Sequence, residues 1–327
     1  TGVRRQVMKI RANAWSRLGQ NATFGGIGMI EVMKEHEDVQ FITADVSTLL
    51  GLGKFKTNYP EHYFDVGIAE QNMVTVAAGM ALEGNCVFVS TYASFLAVRG
   101  LEQIRHNLGY LQTNVKLVGM SSGCATGKSG ISHWCTEDMA FMRAIPNMTV
   151  LSPADCTEVV KMTMAAAELE GPVYIRLTGN RDVPVVYKDD YDFQIGKAIT
   201  MREGSDVAII ATGLMVHEAM EAAEILEEKG ISCTVINMHT IKPLDTALLE
   251  EVYKKYPLIL TVEEHNIIGG LGGAVAEHKS AYVNAPRQIY MGITDEYKQT
   301  GSRKFVMEQY NLTSEGIVDR ILKYVNK

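Results

Sequence analysis

Phe64-Asp65-Val66-Gly67-Ile68-Ala69-Glu70-Gln71-Asn72-Met73 sets an acid, Glu70, four residues ahead of an almost wholly small or apolar run, Val74 to Leu82. That run, Val-Thr-Val-Ala-Ala-Gly-Met-Ala-Leu, reads as a helix, and a glutamate leading into it is carried toward the interior at the helix start. Charged side chains are rarely buried without a partner, because losing water costs several kcal/mol or more. Two readings follow. Glu70 is either a buried carboxyl with a task, or a first-turn acid that merely complements the helix dipole.

Outward from Glu70 the chain alternates between strand and helix patterns. Residues 10–35 show helical spacing interrupted at Gly25-Gly26, and 39–45 read as a buried strand ending on Asp45. Residues 51–63, rich in Gly, Lys, Asn and Pro, read as a surface loop. Downstream, the helix from Glu70 runs to Gly84, followed by a strand at 87–90, a helix at 95–108 and a strand at 115–120. A loop over 121–133, a helix at 137–145, a strand at 149–151, a helix at 156–169 and a strand at 173–177 complete the first half. Strands alternating with helices at this length give a parallel sheet covered on both faces. The polar, acidic stretch 187–192 reads as a linker. Beyond it the alternation restarts with strands at 207–213, 233–237 and 258–262, helices at 215–229 and 315–325 closing the chain. The expectation is an α/β protein of two doubly wound domains, residues 1–187 and 188–327.

Composition agrees with that plan. A chain of 327 residues is long for one core, and 46% hydrophobic with 21% charged residues is ordinary for a globular protein. A net charge of −7 argues against nucleic acid or an anionic membrane as main partner. The five cysteines form no CxxC pair and read as reduced thiols rather than a disulfide frame or zinc site. No apolar run approaches the roughly 18 residues of a membrane span. Thr1-Gly2-Val3-Arg4-Arg5 lacks the hydrophobic segment of a signal peptide. The chain reads as soluble and cytoplasmic.

Some signals invite chemistry and fail. Gly269-Gly270-Leu271-Gly272-Gly273-Ala274-Val275 misses the third glycine of GxGxxG and lies far down the chain, so it reads as a tight turn into a helix at Ala274. No Walker A or HExxH sequence occurs. His265 follows Glu263-Glu264, a neighbour pair that reads as surface. No metal site is supported by ligand spacing.

The order of features resembles the C-terminal half of the transketolase family of thiamine-diphosphate enzymes, as in split, two-subunit transketolases. The resemblance covers essentially the whole chain and is carried by FDVGIAEQNM (64–73), STYASFLAVRGLEQIR (90–105), SGISH (129–133), RAIPNM (143–148), NMHTIKPLD (237–245) and VEEHNIIGGLGGAVAE (262–277). It implies a pyrimidine-binding domain over 1–187 and a transketolase C-terminal domain over 188–327, with transfer of a two-carbon ketol unit from a ketose to an aldehyde. The glutamate of the family motif holds the cofactor's pyrimidine ring nitrogen, and the resemblance carries that role to Glu70. Help of this acid–base kind is typically worth about 10²–10⁴-fold. Tyr92 and Phe95 match aromatic positions that pack on the pyrimidine, Asp45 an acid facing cofactor across the subunit interface, and His133 a substrate-facing histidine. Lys128, Ser129 and Arg176 fall at or near substrate positions.

This chain also departs from the family. Relatives show an acidic pair before the glycine of GEDGxSH, where Lys128-Ser129 stands here, and an arginine for the acceptor phosphate where Gly179 stands. Losing a bidentate phosphate clamp weakens phosphosugar binding, so an unusual ketose, or an unphosphorylated or differently charged acceptor, is expected. The dipeptide Gly-Asp occurs nowhere, so the family's GDG diphosphate and metal motif is missing. The resemblance then implies an N-terminal partner subunit carrying that motif and most of the contacts to Mg²⁺ or Ca²⁺, in an α2β2 heterotetramer. Alternatives stay open: the β-subunit of a 2-oxo acid dehydrogenase, a deoxyxylulose-phosphate-synthase-like subunit, or a non-catalytic chain that completes a complex.

Overall fold

Short runs of Val, Ile, Leu and Phe, too short for buried helices, become strands between turns rich in Gly, Asn and Asp. The computed structural model describes residues 8–325, so Thr1–Arg5 lie outside the described residues. The strands are β1 (Val39–Thr43), β2 (Tyr63–Asp65), β3 (Cys86–Tyr92), β4 (Val115–Met120), β5 (Thr149–Leu151), β6 (Val173–Arg176), β7 (Ile199–Arg202), β8 (Val207–Ala211), β9 (Cys233–Asn237), β10 (Thr240–Lys242), β11 (Leu258–Asn266) and β12 (Arg287–Ile293). They form a seven-stranded sheet ordered β10-β5-β6-β4-β3-β1-β2 and a five-stranded sheet ordered β12-β11-β8-β9-β7. Within each sheet the pairing is parallel except at one edge, where β10 runs antiparallel to β5 and β7 antiparallel to β9.

β10 comes from beyond the linker yet completes the first sheet through Thr240↔Leu151. One cluster of buried apolar side chains is accordingly continuous from Ile42, Val74 and Val89 to Ile236, Leu249 and Leu271. The linker is held down rather than loose. The Tyr187 and Tyr191 rings stack at 4.1 Å, and the Tyr191 hydroxyl donates to Glu158 Oε1 at 3.1 Å.

The structure corrects several expectations. Residues 51–63 are not a loop: they hold a helix (Gly53–Asn58), a 3₁₀ turn (Pro60–His62) and the start of β2, which pairs with β1 through Phe41↔Tyr63 and Thr43↔Asp65. Leu52 and Phe55 are fully buried, and the Phe55 ring lies 5.8 Å from that of Phe41. Two apolar anchors thus override the local Gly, Lys and Pro content. The segment at 95–108 is broken into π-helical turns, Phe95–Arg99 and Ile104–Tyr110, around Leu101–Gln103. All five cysteines are free and buried. No helix among the described residues is long and apolar enough to cross a membrane.

Candidate active site

In the first sheet the chain steps from β1 outward to β2, then returns to the other side of β1 with β3. Strand order therefore reverses at β1/β3, and the crevice outside the carboxyl ends of such strands is the expected ligand position. The named candidates issue from that edge: Asp45 after β1, Glu70 in the helix after β2, Tyr92 and Phe95 at the end of β3, and His133 in the loop after β4.

Asp65, the last residue of β2, builds the entry to the Glu70 helix. Its Oδ1 accepts the N–H of Asp45 at 3.0 Å and of Gly67 at 3.0 Å, and the Tyr63 hydroxyl donates to Oδ2 at 3.2 Å. The turn needs φ +70° at Gly67, a conformation glycine adopts without strain. The helix Glu70–Leu82 then turns Met73, Val74, Ala77 and Ala78 inward. Glu70, one turn ahead of Met73 and Val74, is drawn in with them and is 5% exposed. A carboxylate that only complements the dipole would stay in water. This one is buried and paired: Arg99 Nη1 donates to Glu70 Oε1 at 3.0 Å.

Beside it stands a ring cluster. The centres of Tyr92 and Phe95 are 5.5 Å apart, with Tyr92–His133 at 5.2 Å and Phe95–His133 at 5.3 Å, all edge-on. The Arg99 guanidinium carbon lies 3.9 Å from the Phe95 ring centre. His133 Nδ1 is 2.9 Å from Ser132 Oγ, and its loop is anchored by Trp134 Nε1 donating to Gly127 O at 3.1 Å. An open cleft of about 390 Å³ runs alongside, lined by Phe95, Arg99, Ser132, Trp134 and Phe141.

Other expected residues lie elsewhere. Asp45 is exposed at the rim with φ +59°, tied to Asp65 rather than to the rings. Lys128 and Ser129 are exposed on the 3₁₀ turn Gly127–Ser132. Arg176, expected near substrate, is drawn into the interior. It is 1% exposed, with Nε bonded to Asp138 Oδ1 and Oδ2 at 3.0 and 2.9 Å and Nη2 donating to Glu264 O at 2.7 Å. Its guanidinium is spent inside the protein. At Gly179 a Cβ would lie 2.3 Å from Val183 Cγ2, so a side chain there would require Val183 to shift.

The Glu263-Glu264-His265 stretch is not surface either. All three are buried, because β11 runs on to Asn266 beneath the helix Leu271–Lys279. Glu263 accepts the N–H groups of Leu271 and Gly272 at 2.7 and 2.8 Å, which caps that helix and accounts for its glycine-rich start. Burial pushes the His265 imidazole down to about 4, so it is neutral. Among the described residues Glu35, His36 and Glu168 bring ligand atoms within 4.8 Å of one another. They precede β1 and β6, at the sheet edge opposite Glu70.

Sequence reasoning passed over Arg99, although it stands four residues after Phe95 in the stretch 90–105, and it passed over Glu158. Glu158 is fully buried where the two halves meet, accepting Asn237 Nδ2 at 2.9 Å and the Ala154 N–H at 2.6 Å. Burial pushes its carboxyl from 4.5 up to about 7, against hydrogen bonds from Ala154 and Asn237 that pull it down. A carboxyl raised in the fold stabilises it through its protonated form. That contribution is whole below pH 4.5 and is lost as pH rises through about 7. Glu158→Gln should therefore flatten the decline of melting temperature across that window, measured by thermal denaturation at fixed ionic strength. A slope equal to wild type would contradict the assignment.

Residues 22–181 match the transketolase pyrimidine binding domain and residues 196–317 the transketolase C-terminal domain. The chain belongs to the transketolase family, whose general activity is ketol transfer dependent on thiamine diphosphate. Within the family it is similar, along nearly its whole length, to separate C-terminal chains. A Methanocaldococcus jannaschii protein provisionally named a transketolase C-terminal section is 40% identical, over 92% of this chain and 95% of that protein. One subunit of the apulose-4-phosphate transketolase of Phocaeicola vulgatus is 37% identical, over 91% of this chain and 95% of that subunit. A solved split gene transketolase, described as an inactive beta4 tetramer, is 38% identical with a TM-score of 0.85, covering 94% of this chain and 98% of its own.

Proposed function

We propose that this chain is the C-terminal subunit of a ketol transferase in which Glu70, Tyr92 and Phe95 hold the aminopyrimidine half of thiamine diphosphate and His133 faces the sugar. One observation supports this most: a buried carboxylate and an aromatic face, Glu70 and Phe95, stand together at the reversal of strand order. The donor set fits the group, since a flat heteroaromatic ring with a basic nitrogen needs a shielded carboxyl and rings to pack on. When bound, thiamine diphosphate supplies the carbon nucleophile that carries a two-carbon unit from ketose to aldehyde.

The chain's own residues then have distinct tasks. Glu70 keeps a hydrogen bond on the pyrimidine nitrogen, away from competing water. Tyr92 and Phe95 fix the ring plane. His133, with Nδ1 engaged by Ser132, exchanges a proton with a sugar hydroxyl through its other ring nitrogen. Asp45, exposed at the rim, reaches cofactor bound mainly by the partner. The diphosphate and a Mg²⁺ or Ca²⁺ ion fall to that N-terminal partner, because Gly-Asp is absent here. Phe64, Ile68, Val76, Leu82 and Val98, exposed around the Glu70 helix, offer the apolar surface for it and for self-association to α2β2. We divide the chain at 187/188 and assign it to the reducing cytoplasm, in keeping with five free buried thiols.

Substrate choice follows from Lys128, Ser129 and Gly179. A site that has lost a sugar-binding acid and a phosphate-binding arginine loses discrimination for substrates carrying those groups. An arginine at Gly179 would first have to displace Val183, and a relative named for apulose 4-phosphate supports an unusual ketose. In a specificity scan of the complex, xylulose 5-phosphate with ribose 5-phosphate should be a poor pair. If that pair has the highest kcat/KM of the panel, the substitutions are neutral. Turnover of pyruvate in place of a ketose donor would favour the deoxyxylulose-phosphate-synthase or 2-oxo acid dehydrogenase reading.

A further inference from the structure

Arg99 makes both of the contacts that a pyrimidine ring would need in this site. Its Nη1 donates to Glu70 Oε1 at 3.0 Å, while its guanidinium carbon lies 3.9 Å from the centre of Phe95. A planar, hydrogen-bonding group thus covers the ring face and fills the carboxylate at once. We propose that Arg99 is a placeholder for the cofactor: in the unassembled chain its guanidinium occupies the pyrimidine subsite, and it must swing out before thiamine diphosphate can bind. The proposal rests on the reading of Glu70 and Phe95 given above.

Several features make such a device workable. A buried carboxylate without a partner is strongly destabilising, so Glu70 at 5% exposure needs a counter-charge until the complex is complete. Arg99 is suited to being temporary, because its side chain is 51% exposed and only its tip is engaged. A half-exposed ion pair and an exposed cation–π contact are each weak enough to be displaced. The backbone need not move. The Arg99 carbonyl accepts Gln71 Nε2 at 3.1 Å, and release needs only side-chain rotation into solvent. Phe95 and Arg99 are the two ends of one π-helical turn, a distortion frequent at functional sites.

The test uses the chain co-expressed with its partner and stripped of cofactor, titrated calorimetrically with thiamine diphosphate and Mg²⁺. Arg99→Leu should bind about tenfold more tightly than wild type, equivalent to about 1.4 kcal/mol. Arg99→Lys, which keeps the charge but cannot stack a planar fork, should also bind more tightly, and it carries the test if the leucine variant does not assemble. In a Glu70→Gln background the gain from Arg99→Leu should shrink, since a neutral amide grips the guanidinium less. Equal or weaker binding by the Arg99 variants, with wild type still binding, would overturn the placeholder and leave the function intact. If the wild-type complex binds no thiamine diphosphate, the reading of the site fails and the placeholder with it.

Discussion

Replacing Glu70 with glutamine in the assembled complex is expected to lower kcat by about 10²–10⁴-fold, the range a positioned acid–base group typically contributes. Glutamine preserves the shape of the side chain and can still accept from Arg99, so the helix start should survive. It cannot sustain a carboxyl hydrogen bond to a basic ring nitrogen. The loss should persist at saturating cofactor, with the circular dichroism spectrum and melting temperature near wild type. Wild-type-like turnover at saturation would mean that another acid does this work.

The second large effect concerns stability. Asp138→Ala should destabilise the chain by about 3–5 kcal/mol, because it leaves Arg176 buried without its carboxylate. Asp138 and Arg176 are both essentially unexposed, and the Tyr174 hydroxyl also donates to Asp138 Oδ2, at 2.7 Å. Arg176 in turn donates to the backbone of Glu264, so the pair ties β6 of the first sheet to β11 of the second. Denaturant titration reads the loss. The double variant Asp138→Ala/Arg176→Leu should lose less than the single one, since no charge is then stranded. A loss of under about 1 kcal/mol in Asp138→Ala, the size of a surface pair, would contradict this view.

Much of the architecture was readable because its signals are local. β4 and β9 fall where their Val- and Ile-rich runs put them, and the helix at Glu70 starts on the acid that precedes its apolar run. β2 was missed because its pairing with β1 depends on Leu52 and Phe55 finding a core distant in sequence. β10 escaped for a related reason: three residues become a strand only when the edge of β5 is there to receive them. Glu70, Tyr92, Phe95 and His133 were named as candidates by resemblance to family motifs, and the structure gathers them at one edge of the sheet. In a linear sequence Arg176 reads as lying near substrate and His265 as surface, and only tertiary packing encloses them. Arg99 needed three dimensions, because its meaning lies in touching Glu70 and Phe95 together.

The most direct measurement is two-carbon transfer between a ketose and an aldehyde by this chain and its co-purified N-terminal partner, with thiamine diphosphate and Mg²⁺. The account predicts transfer only when both chains and the cofactor are present, and none from either chain alone. Transfer by this chain alone, or none from the complex with any ketose–aldehyde pair, would contradict it.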